Sequence, residues 1–176
     1  MLLPWICRAE PARLLLILAR ASEQARTYKE KSIAGRARSY VLLEERNMAI
    51  TYWCILIAAL LPYLWVFIAK QSGERYNNHD PRVWQEKQTN PRSRRANAAQ
   101  LNGFESFPAF VAGVLMAQLA GVDPRTISLL AIVFVAGRVL HGVFYVTNRA
   151  PLRSLAWLVG MICVVTLIVL AALRVA

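Results

Sequence analysis

The chain has 176 residues, 57% of them hydrophobic and 18% charged, with 21 Lys+Arg against 10 Asp+Glu and a formal net charge of +11. Soluble domains hold about a quarter charged residues and just under half apolar ones, so this composition excludes disorder and argues against an ordinary soluble domain. A basic excess on so apolar a chain leaves two readings, a membrane protein or a nucleic-acid binder with a large core.

Residues 1–47 come first and differ from the rest, with nine Lys+Arg, five Asp+Glu and no long apolar run. The stretch Leu14 to Ala19 is too short for a signal-peptide core, and the acidic residues argue against a transit peptide. Residues 49–69 then run for 21 residues without a charge, and residues 154–173 for another 20. Each matches the roughly 20 residues needed to cross a bilayer. Between them, residues 96–122 carry only Glu105 and residues 126–146 only Arg138. The pattern predicts an all-α integral membrane four-helix bundle with spans at about 49–69, 96–122, 126–146 and 151–173. Long uncharged runs of this kind exclude the nucleic-acid reading. Cys7, Cys54 and Cys163 show no paired spacing, and with only His79 and His141 as histidines no disulfide framework or metal site is expected.

Four spans put loops 70–95 and 147–153 on one face. That face holds Lys70, Arg75, Arg82, Lys87, Arg92, Arg94, Arg95, Arg149 and Arg153, against only Arg125 and Arg174 opposite. The positive-inside rule places loop 70–95 in the cytoplasm. Adding the nine basic residues of 1–47 to the opposite face erases the asymmetry, and Met48 stands directly before the first span. The working chain is therefore expected to be 48–176, with 1–47 a basic extension outside it; a genuine N-terminal extension is the alternative.

Ionisable groups at bilayer depth are costly and normally face the bundle interior. Arg95, Asn102 and Glu105 are spaced seven and three apart, on one face of the second span. Arg138, His141 and Tyr145 are spaced three and four apart near the end of the third. Pro151, Arg153 and Ser154 open the fourth, where a helix N-terminus adds positive potential. All these groups fall at the same side of the membrane, so they describe one pocket with guanidinium forks for carboxylates and a carboxylate for an amine. The expected ligand is a small peptide-like anion bearing an ammonium group. Each residue also has a purely structural use: Arg95 and Arg153 as headgroup anchors, Asn102 as an interhelical hydrogen bond, Glu105 and Arg138 as a buried ion pair.

The run Ala99-Gln100-Leu101-Asn102-Gly103-Phe104-Glu105-Ser106-Phe107-Pro108-Ala109-Phe110 resembles the second-helix signature of the MAPEG family, the membrane-associated proteins in eicosanoid and glutathione metabolism. Arg138-Val139-Leu140-His141 to Tyr145, followed by Arg149-Ala150-Pro151-Leu152-Arg153-Ser154, resembles the family's third and fourth helices. The overall style is similar to its short bacterial members, over residues 48–176. The resemblance implies a homotrimer that binds glutathione between protomers near the cytoplasmic face of a bacterial inner membrane. It implies a glutathione-dependent transferase or peroxidase whose lipophilic electrophile enters from the lipid. Carried over by position, Arg153 polarises the glutathione sulfur beside the Ser154 hydroxyl. Arg95, Asn102, Glu105, Arg138, His141 and Tyr145 hold the co-substrate, and Arg75 matches a basic site after the first helix. Two positions depart from the pattern: Ala98 stands where an arginine is expected, and Trp157 where an aromatic hydroxyl is common. A non-catalytic lipid- or glutathione-binding protein of the same fold, or a small transporter coupled to protons through Glu105, are the competing readings.

Overall fold

The computed structural model describes residues 10–176, with the backbone alone for some residues before 38. Cys7 and Arg8 lie outside the described residues. Five helices follow in order: α1 Glu10–Ser72, α2 Pro81–Glu86, α3 Pro91–Leu119, α4 Pro124–Val146 and α5 Ala150–Val175. No strand occurs among the described residues. The fold is all-α, a membrane helical bundle.

Local chemistry sets the helix limits. An Asn or Asp followed by proline starts three of them: Asp80-Pro81, Asn90-Pro91 and Asp123-Pro124. Proline has its φ preset for the first turn and lacks the amide that would go unpaired there, while the preceding side chain accepts from the next free amides. Asn90 Oδ1 accepts from the amides of Arg92 (2.9 Å) and Ser93 (3.4 Å), and Asp123 Oδ2 from that of Thr126 (2.9 Å). Two helices stop in the same way. Gly121 (φ 71°) follows α3 and Asn148 (φ 61°) follows α4, both in the left-handed region. The amides of Val122 and Arg149 reach back to the carbonyls of Ala117 (3.0 Å) and Phe144 (2.8 Å), closing the last turns tightly.

The chain divides into two units, Met1–Glu44 and Glu45–Ala176. In the first, none of the side chains described is buried, and its contacts are local, such as Arg26 Nε to Glu30 Oε1 at 3.8 Å. The second holds the core. There α4 packs along α5, and α3 packs on both. The ring of Phe110 stacks on that of Phe134 at 3.9 Å between centroids, and Val114, Ile127, Leu167, Cys54 and Ala58 close around them. Both Cys54 and Cys163 are free and buried in this cluster. Trp65, Ala69, Ala96, Ala99 and Val146 form a second cluster toward the end carrying loop 70–95. Lipid is as apolar as leucine, so helices in a membrane associate through close packing, and small residues permit it. A Cβ on Gly142 would collide with the Trp65 indole, and one on Gly103 with the Pro62 ring.

Three helical segments are long and apolar enough to cross a membrane: Arg26–Ser72, Pro124–Val146 and Ala150–Val175. The expected fourth, 96–122, corresponds to α3, which has the length at 29 residues but falls short in hydropathy. The reason is physical. Asn102, Glu105 and Gln118 dilute its apolar run, and α3 lies against two helices that shelter part of its surface.

Loop 70–95 is more ordered than its polar composition suggests. It contains α2, whose Trp84 is buried and donates its indole N–H to the Arg75 carbonyl (3.0 Å). Gln88 is also buried, accepting from the Glu74 amide (2.9 Å) and donating to the Trp84 carbonyl (3.0 Å). Ser93 Oγ donates to the Ala69 carbonyl (2.8 Å), tying the start of α3 to the end of α1.

Candidate functional site

A cavity of about 430 Å³ opens between α3, α4 and α5. From α3 it is lined by Ala98, Leu101, Asn102 and Glu105, which the three- and four-residue spacings from 98 to 101 and 102, and from these to 105, put on one helical face. From α4 come His141 and Tyr145, and from α5 Arg153, Ser154 and Trp157. The tight turn at Asn148 joins the last turn of α4 to the first turn of α5, so the sequence neighbours Tyr145 and Arg153 face one another. The Arg153 guanidinium sits 4.6 Å from the Tyr145 ring centroid, and Tyr145 meets His141 edge to face at 5.5 Å. These contacts fix the direction of a long, otherwise mobile cation.

Behind the cavity wall runs a chain of polar contacts. Arg138, buried in α4, donates from Nη2 to Asn102 Oδ1 (2.9 Å), and Asn102 donates from Nδ2 to Glu105 Oε2 (3.1 Å). A direct Arg138–Glu105 ion pair was one structural alternative from spacing alone. The structure has the asparagine amide between the two charges instead, and no Glu105 ion pair within 4.0 Å among the described residues. The amide is thereby held with its donors toward Glu105 and its acceptor toward the arginine. Glu105 itself stays exposed at the cavity. The His141 ring is buried, and its Nδ1 has no hydrogen-bond partner among the described residues. Leaving a buried ring nitrogen unpaired is costly.

Of the residues expected from sequence, Asn102, Glu105, His141, Tyr145, Arg153 and Ser154 therefore come together, with Arg138 one contact behind. Two others sit elsewhere. Arg95 donates from Nε to the Val146 carbonyl (3.3 Å), placing its charge at the carbonyl-rich C-terminus of α4 rather than in the cavity. Arg75 is exposed in the loop after α1, where its carbonyl serves Trp84. Leu101 was not expected; it sits one position before Asn102 on the same face as Ala98, and the three-residue step from Ala98 could have shown it. A second cavity, of about 580 Å³, lies between the end of α1, α2 and α3. Lys70, Arg82 and Tyr76 line it over an apolar floor of Val66 and Phe104, with the Lys70 ammonium 3.8 Å from the Tyr76 ring centroid.

Chemically, the first cavity offers a carboxylate, one lining guanidinium, two hydroxyls and an imidazole within one small space, beside an indole and a leucine. That set suits a small zwitterionic ligand with an apolar neighbour. Comparison with curated proteins returns no match. The MAPEG family model, in contrast, matches residues 50–173, beginning just inside the second structural unit and spanning every helix that lines the cavity. With that match over most of its length, on a membrane helical bundle, the chain belongs to the MAPEG family.

Proposed function

We propose that the protein is a membrane-bound glutathione-dependent transferase or peroxidase acting on lipophilic electrophiles. The observation that carries this reading is the convergence of Arg153, Ser154, Glu105 and Tyr145 on one cavity. Glutathione carries an ammonium, two carboxylates and a thiol. Glu105, oriented by Asn102, receives the ammonium. Arg153 and Ser154 lie at the first turn of α5, which has no side-chain cap of its own and so presents its positive end unopposed. A thiol with a pKa of about 8.5 is only ~3% ionised at pH 7. Brought to about 6.5 by the guanidinium and helix end, it becomes mostly thiolate, worth about 2.7 kcal/mol. Ser154 donates a hydrogen bond to the sulfur, and the thiolate then attacks an electrophile that arrives through the lipid.

Only one guanidinium lines the cavity, because Arg95 is engaged elsewhere and position 98 is alanine. The second carboxylate is therefore assigned to a cation from a neighbouring protomer of a homotrimer. Loop 70–95 lies on the cytoplasmic side of a bacterial inner membrane in this reading, where reduced thiols are plentiful. The same shortage of cations favours one second reading, a glutathione- or lipid-binding member without turnover.

The test is a titration of the purified protein with glutathione, followed by thiolate absorbance in the ultraviolet. Arg153→Ala is expected to abolish the signal while leaving the helical content unchanged; an undiminished signal would remove Arg153 from its role. Conjugation of a generic aryl halide separates the enzyme from the binding protein.

A further inference from the structure

On the thiol site proposed above, we infer that Trp157 is the wall against which the electrophile lies, and that it favours flat, electron-poor aromatic electrophiles over flexible aliphatic ones. The cavity lining is mixed: Glu105, Asn102 and His141 are polar, whereas Trp157 and Leu101, 40% and 53% exposed, supply its large apolar surfaces. Trp157 follows Ser154 by three residues and Arg153 by four, so all three share one face of α5. At 1.5 Å per residue the indole stands about 5 Å further along the helix than the proposed sulfur site, away from the polar end of α5. Beyond it the α5 surface of the single protomer continues apolar and exposed through Leu158 and Met161.

Geometry and chemistry then agree. A ring lying on the indole presents its edge carbons to a sulfur held by Arg153 and Ser154. Indole has an electron-rich face, and aromatic partners of opposite polarity stack on it best. For an activated aryl halide the balance is simple. The thiol proton has already left to solvent, the thiolate pair forms the carbon–sulfur bond, and the halide departs with the pair of the carbon–halogen bond. An aliphatic enal or hydroperoxide gains no such stacking. The structural alternative for an exposed tryptophan in a membrane protein is an interfacial anchor, which has no reason to distinguish between ligands of the cavity.

The test uses binding, so it does not depend on turnover. Glutathione, S-(2,4-dinitrophenyl)glutathione and S-hexylglutathione are titrated calorimetrically into the wild type, Trp157→Leu and Trp157→Phe. The expected result is a loss of roughly 2- to 10-fold in affinity for the dinitrophenyl conjugate in Trp157→Leu, the range a single aromatic contact supplies. Glutathione and the hexyl conjugate each lose less than the aryl one, and Trp157→Phe retains most of the aryl preference. Equal changes for all three ligands, or none, overturn the inference while leaving the thiol site standing. Failure of glutathione and both conjugates to bind the wild type overturns the thiol site itself, and this inference with it.

Discussion

At the scale of single residues, the buried Arg138 defines how the site is held. It reaches no ligand-facing surface; its guanidinium is used on the Asn102 carbonyl oxygen, and the asparagine passes the constraint to Glu105. Hydrogen bonds with a charged partner contribute about 1.5–3 kcal/mol, and groups in one network do not behave independently. Arg138→Gln and Asn102→Ala are therefore expected to be non-additive in a double-mutant cycle on thermal unfolding, with a coupling of about 1 kcal/mol or more. Additive effects would show that the contact contributes nothing. The sequence showed much of this site, because Asn102 and Glu105, or Arg138, His141 and Tyr145, follow one helical period and need no knowledge of neighbours. It did not show that an amide would stand between Arg138 and Glu105, since that depends on the axial register of α3 against α4. Nor did it show that Arg95 would turn to the Val146 carbonyl, a choice of rotamer that no spacing encodes.

At the scale of elements, most boundaries follow from chemistry visible in the chain. Asp123 is the clearest case. Hydrogen bonds from the Thr126 amide, and then from its hydroxyl, favour the ionised carboxylate and hold the Asp123 pKa below its ordinary value. A depressed folded-state pKa gives stability that is present above the unfolded carboxylate value and lost as the pH falls through the folded one. Asp123→Ala is expected to cost about 1 kcal/mol at neutral pH, the usual value of a helix N-cap, and much less in strong acid. Melting curves of both proteins at neutral and low pH would show the difference closing; a constant gap would deny the carboxylate its role. Gly121→Ala forces a side chain into the left-handed region, so a loss of about 1–2 kcal/mol is expected, without change in glutathione binding. The short helix α2 escaped sequence reading because six residues show no periodicity. Its signal was Asp80-Pro81 followed by Trp84, an aromatic that needs both a buried face and a hydrogen-bond acceptor.

At the scale of the molecule, orientation rests on charge. From Met48 onward the chain holds 12 Lys+Arg and 5 Asp+Glu, a net of +7, with most of the cations in loop 70–95 and beside the start of α5. A cysteine at exposed position 78 is expected to react with an impermeant maleimide only when the cytoplasmic side is open, and one at position 125 only from the other side. Labelling of both from the same side would contradict a bundle with α3 as a full crossing. Three long apolar segments were legible in the sequence, and α3 has the length but stays below them in hydropathy, with Asn102, Glu105 and Gln118 in its run. The turn at Asn148 also bears on how this molecule assembles. Tyr145 and Arg153 are eight residues apart across a closed, two-hydrogen-bond reversal, so little chain entropy is lost in bringing them together. Helices α4 and α5 form the most local pairing in the bundle, and local pairings form fastest. One wall of the cavity is thus expected to exist as a folded hairpin before α3 docks, leaving Asn102 and Glu105 as the last groups to reach the site.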